Sequence, residues 1–113
     1  EDLKMKLILA IVSNDDASSV TASLTKENFS VTRLATTGGF LRAGNTTILT
    51  GVDDEKCDAC LKIIEETCKS RKQIASAPVT IGGAAGMYAP YPIEVTVGGA
   101  TVFVLDVEQF VKV

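Results

Sequence analysis

A chain of 113 residues has room for one compact domain and can bury enough surface to hold a core without crosslinks. Hydrophobic residues make up 46% and charged residues 22%, which excludes a disordered tail. A net charge of −3 makes the chain a poor non-specific partner for nucleic acid polymers or anionic membranes. There is no histidine. That removes the commonest general base, the commonest metal ligand and any Ser-His-Asp or Cys-His machinery. Composition therefore points away from a hydrolase or metalloenzyme, and neither catalytic residues nor a metal site are expected. Three cysteines are an odd number, which argues against a disulfide framework and for a reducing, cytoplasmic setting. No apolar run approaches the roughly 20 residues that span a bilayer, so membrane insertion is not expected. No secretory signal is visible. Residues 1–4 read as a short extension ahead of Met5, and 5–113 as a single domain.

Lys6–Val12 is a continuous apolar run of strand length, suited to a central strand buried on both faces. Asn14, Asp15 and Asp16 follow and suit a helix start. Ala17, Val20 and Leu24 lie on one face of that helix, which should end near Asn28. Phe29–Thr36 alternates as a strand does, with Gly38 and Gly39 interrupting it. Asn45–Val52 is a second β-branched strand. Asp53 and Asp54 open a second helix, whose stripe is Cys57, Leu61, Ile64 and Cys68. Cys57 and Cys60 form a C-x-x-C pair, but Cys57 and Cys68 fall on the apolar stripe and read as small buried side chains. From Ser70 to Tyr91 no period is visible. The stretch is rich in Ala, Gly, Ser and Pro, and loops this long in a small domain are usually functional. Ile93–Val97 and Ala100–Leu105 alternate around Gly98-Gly99, a hairpin signal. Asp106–Val113 is a short tail with at most a helical turn.

The order is βαββαβ with an extra hairpin strand. This is the α+β, ferredoxin-like split βαβ sandwich, with helices on one face of the sheet. In the expected hairpin Val97 faces Ala100 and Val95 faces Val102, making an apolar face with Val104. The other face carries Glu94, Thr96, Thr101, Phe103 and Leu105. Phe103 is then a large apolar side chain on the uncovered face, either packed under a loop or serving a subunit interface or ligand platform.

The segment from Thr36 to Thr47 carries most of the chemistry. It reads TTGGFLRAGNTT, with three glycines, four threonines, Arg42 and Asn45 between two strands. Glycines let backbone N–H groups approach a phosphate, and threonine hydroxyls add donors. From Ser30 to Val52 there is no acid, while Arg33 and Arg42 make the window locally positive. Gly39–Thr46 comes within one residue of a Walker A box, but Asn45 stands where its lysine belongs and a strand follows instead of a helix. An anion can land here, though not in a P-loop. The Asn45 amide both donates and accepts, so it can pair with the N6 amine and a ring nitrogen of adenine. Phe40 and Leu41 at the loop tip can stack on a base. The plainer reading is a glycine hairpin without ligand, with Asn45 satisfying local backbone groups.

The string LATTGGFLRAGNTT, from Leu34 to Thr47, together with YPIEV and VGGATVFVL, resembles the PII-like cyclic-di-AMP receptor proteins, relatives of the PII signal-transduction proteins. The resemblance runs from Met5 to about Phe110. It implies a ferredoxin-like protomer in a PII-like homotrimer with one cyclic-di-AMP in each cleft between subunits. It implies a second-messenger receptor that changes loop conformation to signal to an unknown downstream protein, without catalysis. The bracketing loops map to about 37–45 and about 70–91. Ligand-binding positions implied by the resemblance are Thr32, Gly39, Phe40, Leu41, Asn45, Gly51 and Phe103. Asn45 matches the adenine-reading residue and Phe103 an apolar wall. This chain departs from the pattern at Ser30, where a basic residue is common, at Lys112, and at Ala85, Gly86 and Met87. Alternatives are a PII-like sensor of ATP or ADP, a nucleotide hydrolase, and a structural trimer without ligand. ATP would favour more Lys and Arg than the window supplies, and no paired carboxylates flank the glycine loop.

Overall fold

The computed structural model describes residues 4–34, 44–80 and 88–113. Strand β1 (Met5–Ser13) leads into α1 (Asn14–Lys26), then β2 (Thr32–Leu34) and β3 (Asn45–Asp53). A 3-10 turn (Asp54–Lys56) and α2 (Cys57–Cys68) follow, and then β4 (Arg71–Thr80), β5 (Tyr88–Val97) and β6 (Ala100–Val107). Four strands form one antiparallel sheet in the order β2-β3-β1-β6. That order, with two helices on one face, is the ferredoxin-like arrangement expected from the pattern of elements.

One face of the sheet and one stripe of each helix make the core. Ile8, Ala10 and Val12 of β1 and Ile48 and Val52 of β3 point to the helices. Val20 and Leu24 of α1 and Cys60, Ile64 and Cys68 of α2 close over them. Burying an aliphatic side chain of this size contributes about 1.5–3 kcal/mol. Along β1 the buried residues alternate with half-buried Leu7, Leu9 and Ile11 on the other face. The stripe of α2 keeps the expected Cys57, Ile64 and Cys68, but Cys60 is fully buried where Leu61 was expected, and Leu61 packs at the margin.

Local chemistry fixes the ends of α1. Ser13, not the acidic run after it, is the N-cap, and its hydroxyl accepts from the Asp15 N–H at 3.3 Å. At the other end Asn28 takes a left-handed φ of 68°. Phe29 N–H then donates to the Leu24 carbonyl and Asn28 N–H to the Thr25 carbonyl, both at 3.0 Å. This is a Schellman closure, in which the carbonyls of the last turn find donors. It draws Phe29 onto the core as part of the helix end. The strand expected over Phe29–Thr36 is therefore shorter, Thr32–Leu34, with 35 and 36 outside the described residues.

Two further expectations need correcting. The long segment from about 70 to 91 is not a structureless loop: β4 occupies Arg71–Thr80 and β5 begins at Tyr88. Gly98-Gly99 is not the turn of a β5–β6 hairpin. Both glycines have the positive φ a tight turn needs, 83° and 85°. Yet β5 pairs with β4, Val95 opposite Gln73, and β6 pairs with β1, Val102 opposite Ala10. The glycine pair instead carries the chain from a two-stranded ribbon into the main sheet. The signal for a sharp turn was present, but which strands flank it was decided by non-local pairing. The tail after Val107 holds no helical turn. The ribbon extends away from the helix-and-sheet layers, and the radius of gyration is 19.2 Å, against about 13 Å for a compact chain of this length.

Candidate functional site on the open sheet face

Directly opposed residues in an antiparallel pair share a face. The register therefore assembles a surface from residues far apart in sequence. Thr32 lies opposite Leu49, Leu49 opposite Leu9, and Leu9 opposite Phe103. These four form one row across all four strands, about 14 Å long at the usual strand spacing. The next row on the same face is Gly51, Leu7 and Leu105. On the other side lies the row of Leu34, Thr47, Ile11 and Thr101, and beyond it the pair of Asn45 and Ser13. Helices cover the opposite face. Of the seven expected ligand positions, Thr32, Asn45, Gly51 and Phe103 thus share the open face, with Asn45 and Gly51 about 20 Å apart along β3. Gly39, Phe40 and Leu41 lie outside the described residues, as does Arg42.

Asn45 is placed by its neighbours. The Gly44 carbonyl accepts from the Asn14 N–H at 2.8 Å, and the Thr46 hydroxyl donates to the Asn14 side-chain oxygen. Both contacts tie the start of β3 to the start of α1. Gly44 has a φ of 97°, so the chain turns sharply into the strand. Asn45 is half-buried, and its amide makes no hydrogen bond with another described residue. The backbone on either side is thus tied down, and the amide keeps donor and acceptor capacity unused among the described residues.

Gly51 is exposed in mid-strand with no positive φ. A Cβ there would meet only the Met5 Cε, at an ordinary 3.7 Å. Neither backbone conformation nor crowding within the chain requires glycine, so its effect is to leave room above the sheet. A hollow of 150 Å³ beside it is lined by Gly51, Ser30 and Lys56 among others. A larger hollow of 440 Å³ lies elsewhere, between α2 and β6, against Leu61, Ile64 and Val102. It contains none of the seven expected ligand positions, so size alone is a poor guide here.

The burial of Thr47 and the pairing of Asp16 escaped the sequence reading, while the cysteines are buried as expected. Thr47 is 4% exposed on the open face, and its hydroxyl has no hydrogen-bond partner among the described residues. Asp16 is buried and bound by Arg71, whose Nη2 donates to Oδ1 at 2.8 Å and whose Nη1 donates to Oδ2 at 3.3 Å. The carboxylate holds the guanidinium pKa above its ordinary value. No local pattern links residues 55 positions apart. Lys6 is paired with Asp106, which holds the carboxyl below its usual range. The three cysteines are buried and reduced. Burial pushes Cys60 and Cys68 up to about 11, so their thiols are neutral and poorly nucleophilic at neutral pH.

Comparison with known proteins places the chain in a family. A sequence model described as "Cyclic-di-AMP receptor" matches residues 5–113. A crystal structure of a functionally unknown protein from Pediococcus pentosaceus is similar over 99% of this chain and 100% of its own, at 38% identity and a TM-score of 0.78. The PII protein of Arabidopsis thaliana, solved bound to citrate, has the same fold at 18% identity, covering 99% of this chain and 82% of its own, with a TM-score of 0.56. A DUF3240 family protein from Shewanella baltica aligns over 96% of each chain at 11% identity and a TM-score of 0.57.

Proposed function

The chain belongs to the cyclic-di-AMP receptor family, and we propose that it binds cyclic-di-AMP on the open sheet face, in clefts between the subunits of a homotrimer. One observation carries the reading. The register collects Thr32, Asn45, Gly51 and Phe103 from three strands onto the uncovered face, with Leu9 and Leu49 between them. A cyclic dinucleotide has two purine rings and two phosphodiesters. Phe103 and the central leucines offer apolar area to a ring, Asn45 an amide to an adenine edge, and Gly51 a gap for close approach. Gly39, Phe40 and Leu41 complete the proposed set from the segment between β2 and β3 in sequence.

A trimer accounts for what one subunit leaves uncovered. Among the described residues β6 is an edge strand with one side of its ladder unpaired, and such edges invite pairing with another chain. Phe103 and Leu105 on one of its faces and Val104 on the other are about half exposed. Strands β4 and β5 pair with one another as a separate two-stranded sheet, which on its own is marginally stable in water. Neighbouring subunits would cover these surfaces and the ligand would bridge them, so binding also stabilises the assembly. The protein then acts as a cytoplasmic sensor. The segments at about 37–45 and 70–91 answer the ligand and present an altered surface to a downstream protein, without catalysis.

Titration calorimetry with cyclic-di-AMP, cyclic-di-GMP and ATP tests this directly. Heat from cyclic-di-AMP alone, with the ligand unaltered after long incubation, is the expected result. Response to ATP or ADP instead would make the protein a sensor of another adenine nucleotide, and silence toward all three a structural trimer.

A further inference from the structure

Asp16 is the only carboxylate in the buried class among the described residues, 4% exposed in the first turn of α1. Its partner Arg71 is the first residue of β4. The guanidinium reaches the carboxylate with two prongs, at 2.8 Å and 3.3 Å, and Nη1 also donates to the Lys69 carbonyl at 3.3 Å. The other strand of the ribbon leaves the core at the same point. A Cβ on Gly98 would stand 2.5 Å from Arg71 Nη1 and 2.9 Å from the Lys69 oxygen, so the glycine backbone lies against the guanidinium. The Gly99 N–H donates to the Cys68 carbonyl. One ion pair therefore sits where both strands of the ribbon emerge. Past it, the ion pair described in the ribbon joins Lys72 to Glu94 within the ribbon itself. Among the described residues no hydrogen bond or ion pair ties the remainder of β4 or β5 to the four-stranded sheet.

Asp16 is buried while the Arg71 side chain is 37% exposed. An ion pair taken even partly out of water seldom adds stability over a well-packed apolar pair of the same volume, so its advantage is fixed geometry. Arginine and a carboxylate supply that geometry because two parallel hydrogen bonds fix a plane as well as a distance. We propose that Asp16 and Arg71 are a positioning pair that sets the angle of the β4–β5 ribbon against the α1 side of the domain, and so sets where the 70–91 segment stands relative to the ligand cleft. This rests on the cyclic-di-AMP reading for its functional consequence, but not for the positioning itself.

The test compares the full chain with Asp16→Asn and Arg71→Lys by amide hydrogen exchange and by calorimetry with cyclic-di-AMP. The first variant keeps the shape of the carboxylate and removes its charge. The second keeps the cation and loses the fork. Ribbon amides of β4 and β5 are expected to exchange about tenfold faster or more in either variant, while those of β1 and β3 stay within about twofold, as local opening requires. The dissociation constant for cyclic-di-AMP should rise at least about fivefold, with preference over cyclic-di-GMP kept, because the pair acts through the ribbon and touches no base. Unchanged ribbon exchange overturns the proposal. So does equal acceleration at every amide, which marks a general loss of stability. If one variant does not fold, the other decides. Failure of the unaltered protein to bind cyclic-di-AMP would sink the ligand reading, while the exchange comparison would still decide the positioning role.

Discussion

Thr32 and Phe103 stand at opposite edges of the four-stranded sheet in a single row, joined through Leu49 and Leu9 by direct strand pairing. They are 71 positions apart in sequence, yet the row puts both on the face that the helices leave open. Asn45 shares that face and is the first residue of β3. Its replacement should therefore affect recognition and leave the fold intact. Asn45→Ala is expected to weaken cyclic-di-AMP binding by about 1–3 kcal/mol, the range for one lost bidentate base contact. Subunit assembly, followed by analytical ultracentrifugation, should not change. Unaltered affinity would assign the amide a structural role.

What was legible in the sequence follows from the range of the interactions. Periodicity along β1, α1, β3 and α2 reflects burial within each element, and those four were found with ends shifted by a few residues. Asn45 and Phe103 were legible as candidates because amide chemistry and an apolar residue of odd parity are visible in one strand. The β4 strand was not legible. Arg71–Thr80 has neither alternation nor a helical stripe, since a ribbon that pairs with no other described strand of its own chain has no inner face to mark. Likewise Gly98-Gly99 announces a turn but cannot say that β1 rather than β5 is the partner of β6. The Asp16–Arg71 pair was not legible for a related reason. An acid in a first helical turn satisfies the local rule for the helix dipole, and its burial by a distant arginine leaves no local trace.

Thr47 and Thr50 make a matched pair on opposite faces of β3. Each hydroxyl is buried without a hydrogen-bond partner among the described residues. Valine has nearly the same shape and removes an unsatisfied polar group, so each Thr→Val change should stabilise the ligand-free protein by about 1 kcal/mol. The two should part on binding. Thr50 faces the helices, opposite Ile8, and its variant should bind as the parent does. Thr47 faces the proposed cleft in the row next to Asn45's, and its variant should bind several-fold more weakly. Parallel urea titrations and calorimetry check both halves. Equal binding by the two variants would remove Thr47 from the site.

Gly98 and Gly99 separate crowding from backbone strain. Both have φ near 85°, a region that costs an L residue about 1–2 kcal/mol. Around Gly99 nothing lies within 4 Å of an added Cβ, whereas at Gly98 the Cβ would meet the Arg71 guanidinium and two backbone carbonyls. Gly99→Ala should therefore lose only the conformational amount, and Gly98→Ala about 1–3 kcal/mol more, the usual cost of overpacking. Melting temperatures compared at one fixed protein concentration, which an oligomer requires, should rank parent, Gly99→Ala and Gly98→Ala in that order. Inversion of the two variants would mean that the turn relaxes away from Arg71.

The cysteines set an alkaline limit on stability. Cys60 and Cys68 are fully buried, and desolvation raises their thiols from an ordinary value near 9 to about 11. The unfolded chain releases these protons at a lower pH than the native one. Their contribution is therefore fully present below about pH 9 and is lost as pH rises toward 11. Urea midpoints should hold level from pH 7 to 8.5 and then fall between pH 9 and 10.5. Lys6 is also raised, by its bond to Asp106, and its contribution is lost only above its ordinary value of 10.5, so the onset separates the two. Replacing Cys60 and Cys68 by alanine leaves cavities and lowers stability at every pH, but it should flatten the slope between pH 9 and 10.5. The slope rather than the midpoint is the quantity to compare. An unchanged slope in the double variant would show that the thiols do not govern the alkaline limit and that other groups do.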